Sequence, residues 1–362
     1  MGTSLLAQVK QRFLPNWASA RRHPVIGLSI GSEAIAFVEF RNHQGRFFVN
    51  RWGYQLLESQ TLDNGRIKDR LSLKEGLRVL VEQYRLQGAH VAMAVSGASV
   101  IVKRIRVPRS HQQNLEEYFL WESAKFIPYD PDEVYLDFSL CSSSSTKVTS
   151  EEIDILLVAA KRETVDEHRE VLEEVQLHPI ICDVETLAIL NLAQMNNEVQ
   201  TYYSYLVVNI QNAVMNIAVV GQGEPLFVRD VCLSSAVGPF FTGGEFRDVR
   251  HLGLSGDSLE NQVVAPSYCE KLNQAEIVNE VKRTVESARE CQPNFHLERI
   301  FLSGPLGMNL ELQEKISQSL MMPTSCINLF APFNFGGRGV SKSTVESLAN
   351  VAGGLGLRIL HG

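Results

Sequence analysis

Apolar residues along this chain fall into short runs or strict alternation, broken by segments in which they recur every three to four positions. Residues 26–30 and 35–40 are almost continuously apolar, and 46–54 continues as a third strand. Residues 72–86 (SLKEGLRVLVEQYRL) then put Leu73, Leu77, Leu80, Val81 and Tyr84 on one helical face, behind Ser72 as the expected N-cap. Strands are expected at 90–95 and 100–107, and a helix over 111–125 that ends before Pro128. A strand pair at 134–140 and 153–160 follows, joined by the Ser-rich surface loop CSSSSTKVTSEE. Helical spacing resumes over 162–177, and 179–184 leads into a helix at 185–195. The last third predicts a hairpin with a third strand over 205–233, a helix at 274–291, and a strand with a Gly turn at 299–309. It closes on a helix, LANVAGGLGLRIL, whose Ala349, Ala352, Gly353 and Gly356 permit close approach of other backbone.

Two of these units echo each other. VIGLSIGSEAIAFVEF (25–40) and YLVVNIQNAVMNIAVV (205–220) are both strand–turn–strand units, about 180 residues apart. The expectation is a mixed α/β chain of two lobes with a cleft between them. The first lobe spans 24–200 and carries an inserted subdomain at about 85–165. The second spans 201–362, with a C-terminal helix that returns to the first.

Composition narrows the function classes. A chain of 362 residues suits two cores rather than one. A formal net charge of −7 leaves no basic excess for nucleic acid. The six cysteines form no CxxC pair, which fits reduced, buried thiols of a cytoplasmic protein better than a disulfide frame or a zinc site. The histidines have no HExxH or HxxxH spacing, so no metal site is expected, and no GxSxG elbow appears. No apolar run is long enough to span a membrane, and residues 4–17 are interrupted by Lys10, Gln11 and Arg12, unlike a signal peptide. Residues 1–23 form a basic amphipathic segment, with Leu5, Leu6, Val9, Phe13 and Trp17 among Lys10, Arg12, Arg21 and Arg22. It suits an anionic membrane surface or a partner; the blander reading is a loose leader.

Several blocks occur in the order and spacing of a known family. They are VKRIRVP (102–108), WESAKFIPYDPDEVYLDF (121–138), VAAKRETVDEH (158–168) and DVETLAILNLA (183–193), followed by FVRDV (227–231), FLSGPLG (301–307) and GGLGLR (353–358). Through them the chain, from about 24 to 358, resembles the type IV pilus assembly protein PilM family, with WESAKFIP the most specific piece. That resemblance implies an actin-like fold, a ribonuclease-H-like βββαβα unit duplicated into two lobes, with ATP and Mg²⁺ held between them. It also implies a groove for the cytoplasmic tail of a PilN-like single-span inner-membrane protein. Such a protein sits peripherally at the inner membrane through that partner and communicates with the pilus motor ring; a homo-oligomer is left open.

The nucleotide motifs depart from the pattern. The first hairpin of this fold reads G-x-D-x-G-[ST], the Asp directing hydrated Mg²⁺ and the turn amides holding phosphate. Here Gly27, Gly31 and Ser32 remain, but Ser29 stands at the Asp position, Ala36 at the usual Lys, and Glu33 brings a negative charge to the turn. In the second hairpin Asn209 replaces the Asp, Gln211 the Gly, and Val214 and Met215 the hydroxyl residue. The third element, Gly304-Pro305-Leu306-Gly307, carries a proline that removes one backbone donor. Three altered loops leave phosphate charge poorly compensated, a cost of several kcal/mol.

The reading is therefore a degenerate actin-like adaptor with no catalytic residue, no metal ligand and no resident cofactor, ATP and Mg²⁺ being retained only if the altered site still binds them. Val102, Lys103, Arg104, Phe126 and Tyr129 are the candidates to line a groove for an extended peptide, while Trp121, Phe126 and Tyr129 are expected simply to close a small core. The alternative is a working ATPase or actin-fold kinase, for which Asp183 and Asp230 are the candidate bases. A relative of secretion platforms or of FtsA is the third reading. Residues 242–273 form an insertion suited to a partner-specific loop.

Overall fold

Both hairpins form where the alternation puts them. In the computed structural model, which describes residues 25–32, 34–57, 61–141, 151–211, 214–233, 274–292, 295–335 and 348–358, strands β1 (Val25–Ile30), β2 (Ala34–His43) and β3 (Arg46–Leu56) make an antiparallel meander. Next come a two-residue ladder, β4 (Leu62–Asp63) with β5 (Arg66–Ile67), and helix α1 (Arg70–Tyr84). The cap of α1 is Asp69 rather than Ser72: its carboxylate accepts from the Ser72 amide at 3.0 Å, so the helix starts one turn earlier than the apolar stripe alone indicates. Strand β6 (His90–Val95) then pairs parallel with β1.

The inserted subdomain follows β6 directly. It consists of β7 (Val100–Pro108), α2 (Leu115–Glu122), β8 (Val134–Leu140) and β9 (Glu152–Lys161), with sheet order β7-β9-β8. Because β6 belongs to the main sheet, the insertion begins beyond Val95 rather than near residue 85. Its own core gathers Val107, Leu115, Phe119, Ile127, Val134, Ile153 and Leu157. The expected helix over 111–125 is shorter, since residues 109–114 (RSHQQN) carry no apolar face to bury and form a 3-10 turn instead. The Ser-rich loop at 142–150 lies outside the described residues.

Helix α3 (Arg162–Glu173), strand β10 (His178–Val184) and helix α4 (Glu185–Gln194) complete the first lobe. The second lobe has β11 (Ser204–Ile210), β12 (Val214–Gly221), β13 (Glu224–Cys232), α5 (Gln274–Cys291), β14 (Arg299–Ser303), α6 (Leu310–Leu320) and β15 (Thr324–Cys326). A short β16 (Asn334–Phe335) returns to the edge of β3, ahead of α7 (Asn350–Arg358). The sheets have matching topology. β10-β6-β1-β2-β3 and β15-β14-β11-β12-β13 each combine an antiparallel meander with two parallel strands on the far side of its first strand. The repeat read in the hairpins therefore extends to whole lobes.

Helices α4 and α7 lie between the two sheets, in one core that draws Val38 and Ala92 from the first lobe and Val207, Ala218 and Phe301 from the second. Small residues make this layer thin. A Cβ on Gly27 would stand 2.0 Å from the Ala352 carbonyl, and one on Gly354 would stand 1.7 Å from that of Ala188, so only glycine lets α7 seat against β1 and α4. At the end of α7, Arg358 reaches Asp183 at 2.8 Å in a buried ion pair. The outer faces are closed by α1 and α3 on the first sheet and by α5 and α6 on the second.

Candidate functional site

The two hairpin turns face each other across the cleft and close in the same way. Gly31 N–H donates to Ala34 O at 2.9 Å, and Gln211 N–H donates to Val214 O at 3.0 Å. Each turn therefore spends on itself an amide that a phosphate loop would offer to a ligand. Gln211 also lies against the first turn: its Oε1 is 3.4 Å from where a Cβ on Gly31 would be. Gly27 does not reach the cleft; its packing against α7 accounts for the glycine. Gly304 adopts φ +86, and a Cβ there would meet Ile210 O at 2.5 Å, so this loop is fitted to the end of β11. Leu306 N–H donates to the same carbonyl at 3.2 Å, and Gly307 N–H closes the turn on Gly304 O at 3.1 Å. Glu33 lies outside the described residues.

Asn209 is fully buried, and its amide is committed on both sides. Its Oδ1 accepts from Asn350 Nδ2 at 3.0 Å, and its Nδ2 donates to Asn216 Oδ1 at 3.2 Å. Asn350 also donates to Ser303 Oγ at 2.9 Å. Asn216 in turn donates to Asp230 Oδ1 at 2.9 Å and more weakly to Glu185 Oε2 at 3.4 Å. Asp230 accepts from Gly97 N–H at 2.9 Å and from the Thr186 hydroxyl. One buried polar network thus runs from α7 through the second hairpin to the start of α4, tying both lobes and the insertion together.

Of the two acids nominated as bases, neither is poised to take a proton. Asp183 is engaged by Arg358 on the side away from the hairpin turns, beside Asp137 and Val158. Asp230 is saturated by three donors. The buried acid that lines the cleft is Glu185, which the sequence reading passed over. It is 9% exposed, and burial together with the nearby Asp230 pushes its carboxyl up to about 7, against hydrogen bonds from Ser96 and Asn216 that pull the other way. The available signal was its place at the first helical residue after a parallel strand, where α/β folds gather their site residues. His168, also passed over, lies 2% exposed on α3 with Nδ1 2.8 Å from Thr164 O; burial lowers its pKa.

The main cavity measures about 250 Å³ and is lined by Gly31, Ser32, Asp63, Asn64, Ser96, His168, Glu185, Gln211 and Cys232 among others. It lies below the roughly 300–1,000 Å³ typical of small-molecule sites. A side pocket of about 20 Å³ lies between Ser29, Gln211, Pro305, Leu348 and Val351. The described lining has two carboxylates and no lysine or arginine. Ser29 supplies no carboxylate for a hydrated cation, and among the described residues no three His, Cys, Asp or Glu side chains cluster as metal ligands. One amide of each turn used within the turn, Gln211 lying against Gly31, no carboxylate at Ser29 and no lysine or arginine in the described lining do not fit a magnesium-bound nucleoside triphosphate.

The five candidate groove residues do not share a face. Along β7, Val100 and Val102 turn toward the interlobe core, and Arg104 pairs with Asp154 at 3.0 Å and with Glu224 of the second lobe at 3.7 Å. Lys103 is exposed on the opposite side, where its Nζ donates to Phe126 O at 3.2 Å. Phe126 and Tyr129 pack onto the insertion's own core, Tyr129 donating to Ala98 O at 3.1 Å beneath the Lys161 ammonium. Strand alternation separates Val102 and Arg104 from Lys103. A groove on the outer face thus retains Lys103, Phe126 and Tyr129 and loses the other two. Trp121, expected in the core, is 81% exposed.

Among the described residues no helix is long and apolar enough to cross a membrane. Residues 27–360 match the family model described as type IV pilus assembly protein PilM. The fold is similar to that solved in a PilM-PilN type IV pilus biogenesis complex, at 23% identity and a TM-score of 0.72, covering 94% of this chain and 99% of that one. Looser likenesses are to the ethanolamine utilization protein EutJ from Carboxydothermus hydrogenoformans (14% identity, 92% and 88% covered, TM-score 0.43) and to ADP-bound MreB5 of Spiroplasma citri (12%, 92% and 95%, 0.41). The architecture is the actin-like one.

Proposed function

The chain belongs to the type IV pilus assembly protein PilM family, and on that premise we propose that it is an adaptor that captures the cytoplasmic tail of a PilN-like inner-membrane protein without needing nucleotide. The observation that carries this reading is the altered cleft: Gln211 lies against Gly31, one amide of each turn is used within that turn, and the described lining has two carboxylates and no lysine or arginine. The lobes are instead held by internal groups, the Asn350–Asn209–Asn216–Asp230 network and the Asp183–Arg358 pair, so closure needs no ligand to bridge it. Support for the partner comes from the family and from the PilM-PilN complex, whose fold this chain resembles.

An extended tail suits the outer face of the insertion. β7 is an edge strand of the insertion's sheet with backbone groups to offer, and Lys103 with the partly buried Phe126 and Tyr129 offers a charge and apolar pockets for alternate side chains. Through such a partner the protein sits peripherally at the inner membrane. The test is a fluorescence-anisotropy titration of a labelled PilN-like N-terminal peptide, with and without Mg-ATP. The expected result is the same affinity in both, weakened about tenfold by Lys103→Glu, near the 1.4 kcal/mol of one charged contact. Binding that needs Mg-ATP, or that ignores Lys103→Glu, overturns the reading.

A further inference from the structure

The polar part of the main cavity's lining is rich in acceptors. Glu185 is buried in its wall and Asp63 stands at the mouth, where it pairs with Lys68 at 2.7 Å. Asn64 and Gln211 add amide oxygens, and Ser32 and Ser96 add hydroxyls. His168 gives a second, independent indication. The Thr164 carbonyl cannot donate, so Nδ1 carries the proton that joins them, and in the neutral ring Nε2 is a bare acceptor. That nitrogen has no hydrogen-bond partner among the described residues, although the ring is 2% exposed and lines the cavity. Nε2 is therefore free to accept from whatever enters the cavity, and Glu185, although it already accepts from Ser96 and Asn216, meets no cation among the described lining residues.

We propose that this cleft is a binding site for a protonated amine or guanidinium, brought by a small molecule or by a lysine or arginine side chain of a partner, with Glu185 and His168 as its acceptors. The polarity is opposite to that of the phosphate site from which the fold is known. A cavity of about 250 Å³ takes an alkylammonium or guanidinium group with a short stem. The carboxyl of Glu185 is faced by Asp230 from β13, His168 from α3, Asp63 from β4 and the Cys232 thiol from β13, and none of these is a cation. Arg358, a buried cation, is held by Asp183 in a separate pocket. An arriving cation supplies the missing countercharge, so binding drives the Glu185 proton off.

The experiment is calorimetric titration of the full chain with agmatine near pH 7, in two buffers of different ionisation enthalpy, alongside a short blocked peptide with one central arginine and the neutral diol 1,4-butanediol. The expected result is saturable binding of agmatine at or below about 1 mM, none of the diol, and buffer-dependent heat that reports proton release. Glu185→Gln weakens binding at least tenfold and abolishes the buffer dependence. His168→Phe weakens it too, and serves as the second variant if the first fails to fold. Agmatine alone binding identifies a free amine as the source; the peptide binding as well identifies a partner side chain. No saturable heat with either cation, unchanged affinity in both variants, or Mg-ATP binding at micromolar concentration overturns the proposal.

Discussion

Replacing Glu185 by glutamine removes one ionisation and keeps the shape, and the structure fixes the sign of the outcome. In the folded protein this carboxyl holds its proton to about 7, whereas in the unfolded chain it releases it near the ordinary 4.5. Between those values the folded state binds more protons than the unfolded state, so rising pH costs stability. Below the lower value nothing is lost; above the upper one the loss is complete. At about 1.4 kcal/mol for each tenfold change in proton affinity, the full loss is about 3 kcal/mol, and burial at 9% exposure leaves little solvent to screen it. Glutamine at this position can still accept from Ser96 and Asn216 through its carbonyl. Glu185→Gln is therefore expected to match the wild type within about 1 kcal/mol near pH 5 and to exceed it by about 2–3 kcal/mol near pH 8. Urea unfolding across that range, compared as the difference between the two proteins, isolates this group from every other titration. Parallel curves would refute the reasoning, because they would mean that Glu185 is ionised in the fold at neutral pH.

Other substitutions test the layer between the lobes. Gly354→Ala sets a Cβ 1.7 Å from the Ala188 backbone and should cost about 3 kcal/mol or more, whereas Gly356→Ala meets the Phe40 ring edge at 3.0 Å and should cost about 1 kcal/mol, as read by thermal unfolding. Asp183→Ala leaves Arg358 buried and unpaired, at an expected cost of about 3–5 kcal/mol, and adding Arg358→Met should restore most of it in a double-mutant cycle. Trp121→Ala, at an 81% exposed position, should change stability by less than about 0.5 kcal/mol in denaturant titrations; a larger loss would show that the ring is packed.

What the sequence disclosed, and what it withheld, follow from the range of the interactions involved. The hairpins at 25–40 and 205–220 were readable because alternation is a local property, and the matching turns carried the duplication with them. The start of α1 was misread by one turn because Asp69 caps from outside the apolar stripe. Helix α6 went unpredicted although it has its own signature, Asn309 capping Leu312 N–H at 2.8 Å ahead of buried Leu312 and Ile316. The altered motif residues Ser29, Asn209 and Gln211 were visible in the chain. Their new partners were not, since Asn350 lies 141 positions from Asn209 and Asp230 lies 133 from Gly97. Arg104 and Lys103 illustrate the same limit: strand alternation already puts these neighbours on opposite faces, but that one face meets Glu224 of the second lobe and the other Phe126 of the insertion is set by residues far along the chain.

The most direct test of a ligand-independent actin-like adaptor is calorimetric titration of the full chain with Mg-ATP. The account predicts no saturable heat up to about 1 mM, because one amide of each turn is used within the turn, Gln211 lies against Gly31 and the described lining has no lysine or arginine to meet phosphate. Saturable binding at micromolar concentration would contradict it, and would mean that the two turns open, Gln211 withdraws and backbone donors alone hold the phosphates.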